Sequence, residues 1–210
     1  MGDYRITVSM PCYGRPQRTM RAIKCILNQT IPDYEALIVG DNCPNIQSIL
    51  DNLENLPEIA VCPAESSVVI ENLDTNYGGW GYHITNLNIQ RAKGDYFLFM
   101  ANDDIIEPNH FESRLKHIEG SEYDFVYFNT KVRPDGGYIR KSKLEISGIG
   151  HSELIIRTDF LKRMPPHQAV YGHDWHLIDA MMRMGAKYKY VDDEPTYTVM
   201  NFPHDQEEID

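Results

Sequence analysis

No run of about 18 apolar residues occurs in this 210-residue sequence, so no segment has the length and apolarity of a membrane-spanning helix. The start, MGDYRITVSM, also lacks the charged lead and apolar stretch of a secretory signal. Cysteine is scarce. Cys12, Cys25, Cys43 and Cys62 lie in the first third without a C-x-x-C pair, and zinc-ligand spacing is absent. Together these point to reduced thiols and a cytoplasmic location. Basic residues are outnumbered 20 to 31, giving a formal charge of -11, which argues against a binder of duplex nucleic acid while leaving room for a local phosphate pocket. The glycine-rich stretch NYGGWGY has no Lys-Ser/Thr ending, so it is not an ATP-cradling P-loop. There is no internal repeat, low-complexity tract or linker, and residues 1–210 read as one domain ending in an acidic tail, 205–210.

What is present is an ordinary globular composition, 42% hydrophobic and 24% charged. YRITVSM alternates and is β-branched, predicting a strand over 4–10. Met20, Ile23, Ile26 and Leu27 share one helical face over 17–28, and NQT at Asn28 reads as the helix end. EALIVG (35–40) predicts a strand buried on both sides, 46–56 a helix, and SVVIE (67–71) a third strand. A helix over 83–92 follows NYGGWGY, stopped by Lys93-Gly94, and 95–101 predicts a fourth strand. This β-α-β-α-β-α-β alternation implies an α/β fold with a mostly parallel central sheet and helices on both faces.

The second half, from about 105 to 204, is less regular. It reads as a short helix over 109–118, DFVYFNTKV, a turn at RPDGGY leading into 138–146 as in a hairpin, and SELIIR as a strand. TDFLKRM predicts a short helix capped by Thr158 or Asp159. A longer helix follows over 173–184, and KYKYVDD and TYTVM close as short strands.

Ligands of open parallel sheets sit beyond the carboxyl ends of the strands. PCYGRPQ, Asp41-Asn42 and Asn102-Asp103-Asp104 all fall there, so they converge on one crevice. Adjacent carboxylates at a strand end repel unless a cation is near. Oxygen ligands of this kind suit Mg²⁺ or Mn²⁺ bridging protein to a diphosphate. A polar turn is the other reading of NDD.

These segments, in this order, resemble a family 2 glycosyltransferase of the GT-A (Rossmann-like) fold over about residues 5–204. The resemblance rests on ITVSMPCYGRPQRTMRAIKCILNQTIPDYEALIVGDNCP and ITNLNIQRAKGDYFLFMANDDIIEP. It implies a nucleotide-sugar half to about residue 104, an acceptor half carrying a smaller antiparallel sheet, and an inverting, metal-dependent transfer from a UDP-linked donor to an acceptor hydroxyl. That hydroxyl would belong to a glycan, a glycolipid head or a protein.

By the same resemblance Pro11 and Tyr13 would line the base, with Tyr13 stacking on it, and Asp41 would accept a base N–H. Arg15 is placed with the donor-binding residues. Asp103 would be the principal ligand of Mn²⁺ or Mg²⁺, Asn102 would face ribose or metal, and Asp104 would be a ligand or a brace. Ala101 stands where the family often has the first Asp of Asp-X-Asp, which implies weakened or altered metal dependence.

Asp174 in YGHDWH reads from pattern alone as a helix cap. By resemblance it is the base that takes the acceptor's proton, with His173 where Glu is commoner. His173, His176 and Asp174 also invite a metal reading. His204 would reach the metal or diphosphate. His151 would border the donor sugar or sit in a loop. Asn76 and Asn86 fall near the crevice without a role. NYGGWGY either approaches phosphate or sugar, or turns tightly with Trp80 packed on the core. Two rivals remain. One is a catalytically inactive nucleotide-binding relative acting as an interaction module. The other is a nucleotidyltransferase, although its basic loop is represented only by Arg15 and Arg18.

Overall fold

The computed structural model describes residues 2–53, 65–133 and 137–200. Cys62, the tip of the RPDGGY turn and His204 lie outside the described residues. β1 (Tyr4–Cys12), α1 (Pro16–Leu27), β2 (Tyr34–Gly40), α2 (Ile46–Leu53), β3 (Ser67–Asn72), α3 (Tyr82–Arg91) and β4 (Gly94–Phe99) reproduce the alternation expected from the sequence. β1 pairs in parallel with β2 and with β4, and β2 pairs in parallel with β3. Every residue of β2 is buried, as a central parallel strand covered on both faces requires.

The second half supplies β5 (Ile105–Ile106), α4 (His110–Ile118), β6 (Phe125–Phe128), β7 (Thr130–Val132), β8 (Tyr138–Arg140), β9 (Leu154–Arg157), α5 (Thr158–Leu161), α6 (His173–Arg183), β10 (Tyr188–Val191) and β11 (Tyr197–Val199). The main sheet has the order β10-β6-β9-β4-β1-β2-β3. β9 enters antiparallel between β4 and β6. The smaller sheet, β5-β11-β7-β8, is antiparallel at β5–β11 and β7–β8 and parallel at β7–β11, so it is mixed rather than wholly antiparallel.

Side-chain alternation along β1 and β4 divides the core into two layers. Ile6, Val8, Met10 and Ile38 pack with Ile23 and Ile26 of α1, Ile49 of α2 and Phe111 of α4. Phe97, Phe99 and Ile156 pack with Ile89 of α3, Phe160 of α5 and Ile178 of α6 on the other face. Polar pins cross the sheet as well. Asn88 of α3 donates to Ser9 Oγ (2.9 Å) and to the Leu37 carbonyl (3.1 Å).

Two local expectations change. α5 starts at Thr158 with Arg157 in the N-cap position, so neither Thr158 nor Asp159 is the cap. Asp159 instead accepts the Phe160 N–H at 2.8 Å from inside the first turn. Trp80 does not pack on the core but is 70% exposed, in a left-handed backbone conformation between glycines. Asn28 does end α1, its N–H bonded to the Lys24 carbonyl at 3.0 Å.

Candidate active site

The carboxyl ends of β1, β2 and β4 open into a cavity of about 1010 Å³. Pro11, Tyr13, Asp41, Asn102, Asp104, His151 and Asp174 all line it. The strand-end positions expected from the sequence therefore do share one crevice, and the start of α6 joins them.

Tyr13 is 56% exposed, an aromatic face without cover. Asp41 is buried, and its two oxygens accept the backbone N–H groups of Tyr77 (2.8 Å) and Gly78 (2.7 Å), while Asn76 donates to the Asp41 carbonyl at 2.9 Å. Asp41 and Asn76 thus tie the glycine-rich loop to the end of β2. Each carboxylate oxygen keeps a further lone pair for a ligand. Gly81 closes the loop against β1. Its φ is +77°, and an added Cβ would lie 2.6 Å from the Pro11 ring, so no side chain fits.

The carboxylates after β4 divide their work. Asp104 is buried and accepts the Tyr197 hydroxyl (2.7 Å) and the Met200 N–H (2.8 Å). Burial raises its pKa to about 6, against those two hydrogen bonds. With both oxygens engaged, Asp104 has the geometry of a brace. Asp103 is ion-paired with Arg15, and its carbonyl accepts Arg21 Nη2 at 3.1 Å. Arg15 lines the cavity and Asp103 does not. Asn102 donates to Thr19 Oγ1 at 2.9 Å. A divalent ion held by Asp103 would have to take over its counter-charge from Arg15.

His151 and His173 meet Asp174 at the wall of the same cavity. Gly172 is the N-cap of α6 in a left-handed conformation, so Asp174 in the first turn is not the cap. Its Oδ1 receives His151 Nδ1 and His173 Nε2, both at 2.9 Å. Burial alone would raise the Asp174 pKa, but the charges and hydrogen bonds of the two imidazoles outweigh it and hold the carboxyl well below its usual range. The hydrogen bond to Asp174 raises the pKa of His173. His151 stacks on Phe99 with centroids 4.4 Å apart.

The turn carrying His151 is pinned by Glu153. This fully buried carboxylate accepts the Gly150 N–H (2.6 Å), Thr130 Oγ1 (2.9 Å) and the Arg140 guanidinium. The ligand atoms of His151, His173 and Asp174 lie within 4.8 Å of one another, a group that could hold a metal ion. His176, which the sequence grouped with them, is exposed, and His151 from a distant turn takes its place. The sequence also gave no notice of His167, whose Nε2 lies 3.1 Å from His151 Nε2, or of Arg15 as the partner of Asp103. Each is a lone side chain in a loop, recognisable only once the chain is folded.

Among the described residues no helix is long and apolar enough to cross a membrane. An uncharacterized glycosyltransferase of Rickettsia conorii is 30% identical over 142 residues, covering 66% of this chain and 21% of its own length. The poly(ribitol-phosphate) beta-N-acetylglucosaminyltransferase TarP of Staphylococcus aureus is 23% identical over 158 residues, 74% of this chain and 46% of that protein. This chain therefore spans less than half of either relative. Among solved structures, TarS of S. aureus in complex with UDP superposes with a TM-score of 0.75 at 18% identity, covering 93% of this chain and 60% of that one, a likeness of fold. The profile of Glycosyl transferase family 2 matches residues 7–183, and the chain belongs to that family.

Proposed function

We propose that the chain transfers a sugar from a nucleotide-sugar, UDP-linked, to an acceptor hydroxyl with inversion at the anomeric carbon. The observation that supports this reading is that Pro11, Tyr13 and Asp41 line the same cavity as the Asp174 carboxylate. Family membership supports it, as do the solved relatives in complex with UDP-GlcNAc and with GDP-Man and Mn²⁺.

Tyr13 stacks on the base, and Asp41 accepts its N–H while holding the glycine loop beneath it. Arg15 carries positive charge to the diphosphate, and Asn102 faces the ribose. Asp103, with Asp104 as brace, would hold a divalent ion, Mn²⁺ or Mg²⁺, and that ion would supply positive charge at the departing diphosphate. Asp174 takes the acceptor's hydroxyl proton. The acceptor oxygen then forms its bond to the anomeric carbon as the bond from that carbon to the diphosphate oxygen breaks, and one displacement inverts the centre. A positioned base of this kind contributes about 10²–10⁴ in rate. Asp174→Asn should therefore lower turnover of UDP-sugars by that factor while UDP affinity is retained. Retained turnover in this variant would remove Asp174 from the mechanism.

One observation favours a second reading. Ala101 replaces a carboxylate, and Arg15 already neutralises Asp103, as in a relative that binds nucleotide without turnover. That reading requires UDP binding with no sugar release from any donor in wild-type protein.

A further inference from the structure

His167 is a buried imidazole to which the transfer chemistry gives no task, and Asn86 lies at the crevice without one. The two are joined. Asn86 Oδ1 accepts the His167 backbone N–H at 2.7 Å and Asn86 Nδ2 donates to the His167 carbonyl at 3.0 Å, a pairing that fixes which way the amide points. His167 Nδ1 lies 3.2 Å from the same Oδ1. An amide oxygen only accepts, so this nitrogen carries the proton. Burial, then the neighbouring His151 and His173, lowers the His167 pKa to about 3, so the ring is neutral and its Nε2 is a lone pair. His151 Nε2, 3.1 Å away, is then the donor. The direction of each bond is dictated outward from Asn86, and the chain ends where His151 Nδ1 donates to Asp174 Oδ1.

This wiring leaves the two oxygens of Asp174 unequal. Oδ1 accepts from both His151 and His173. Among the described residues no hydrogen bond is made to Oδ2. Gly150 lies beside it, where an added Cβ would sit 3.4 Å from Oδ2 and 3.0 Å from Glu153 Oε2. Lone pairs on His151 Nδ1 and Asp174 Oδ1 would repel at 2.9 Å, so a proton or a cation must lie between them. The Asn86–His167 pair favours the proton, because it holds His151 in place as a donor with no metal required.

The geometry points to Asn86 and His167 as positioning residues for the transfer, acting through His151 to fix Asp174 by one oxygen and leave the other for the acceptor hydroxyl. The inference rests on the reading of Asp174 as the base. A base confined in this way meets the acceptor in one orientation, and a misplacement of about 1 Å costs on the order of 100-fold. The groups facing His151 are Asp174, His167 and His173, with Phe99 stacked on its ring.

The test compares wild type, His167→Leu and His167→Gln by three measurements: UDP titration, turnover of UDP-GlcNAc with water as acceptor across pH, and ¹⁵N NMR of the histidine rings. His167→Leu removes the acceptor for His151 Nε2–H. It should lower kcat about 10- to 100-fold and shift the pH profile, with KM and UDP affinity unchanged. His167→Gln keeps a carbonyl acceptor and should recover most of kcat. Equal losses in both variants, or an unaltered kcat and pH profile in His167→Leu, would overturn the inference.

Absence of UDP binding to wild-type protein would instead sink the transferase reading, and the NMR would still decide the wiring. Wild type should show a proton on His151 Nδ1, the nitrogen facing Asp174, and on His167 Nδ1, the nitrogen facing Asn86. A His151 Nδ1 without a proton, or His151 and His173 signals displaced by added Mn²⁺ or Zn²⁺, would make the cluster a metal site and contradict the positioning role.

Discussion

Asp103 and Asp104 are neighbours in sequence with opposite solutions to the same charge problem. Asp103 is neutralised by Arg15, whereas Asp104 is buried among neutral donors and bears its own desolvation. The sign of the resulting pH dependence follows. A carboxyl whose folded pKa is raised from 3.8 to about 6 favours the protonated state in the fold. Its contribution is present below about pH 4 and is lost as pH rises through 6. The loss is on the order of 3 kcal/mol. In metal-free buffer, wild-type stability measured by denaturant unfolding should therefore decline between pH 4 and 7, and Asp104→Asn should flatten that decline. An unchanged slope in the variant would place the titration elsewhere. The same residue scale limits what sequence reveals. A strand-end pair of carboxylates is visible as letters, but which one faces an arginine and which one a tyrosine hydroxyl depends on Arg15 and Tyr197, each some 90 residues away.

Elements explain which parts of the fold were legible. β1, β2 and β4 are largely buried and separated by amphipathic helices, so their residue pattern marks them, and a parallel half follows from the alternation. β9 has four residues and inserts antiparallel between β4 and β6, a pairing no local pattern encodes. The parallel pairing of β7 with β11 is hidden for the same reason.

Glycine positions mark two tight element contacts. Gly94 begins β4 where an added Cβ would lie 2.4 Å from the backbone of Ile6 and Thr7. Backbone there cannot yield as a side chain would, so Gly94→Ala should destabilise by about 3 kcal/mol or more, read as a lower denaturation midpoint. The loop between β3 and α3 depends on Asp41 in a different way. Asp41→Asn turns an amide N–H₂ toward one of two backbone donors, leaving a half-buried N–H unsatisfied at a cost of about 1 kcal/mol. Hydrogen exchange at Tyr77 and Gly78 should accelerate in that variant, and UDP affinity should fall with it. Unchanged protection would mean the loop is held by its glycine geometry alone.

Over the whole molecule, the cavity joins two halves that the sequence describes unequally. The strand-end crevice was readable because a parallel sheet places its ligand at strand ends. The role proposed for Asp174 came only through resemblance, since a lone acid at a helix start looks like a cap. His151 and His173 were visible as candidates, but His167 and the meeting of all three were not, because the residues are separated in sequence and meet only in the fold. The central claim is that the cavity is a diphosphate clamp completed by a divalent ion.

Calorimetric titration of UDP, GDP and CDP, each with and without Mn²⁺, on wild type and Asp103→Ala tests that claim most directly. Tight binding of UDP that weakens at least tenfold without metal and in the variant is the predicted result. Binding of no nucleotide, or binding indifferent to both metal and Asp103, would contradict it.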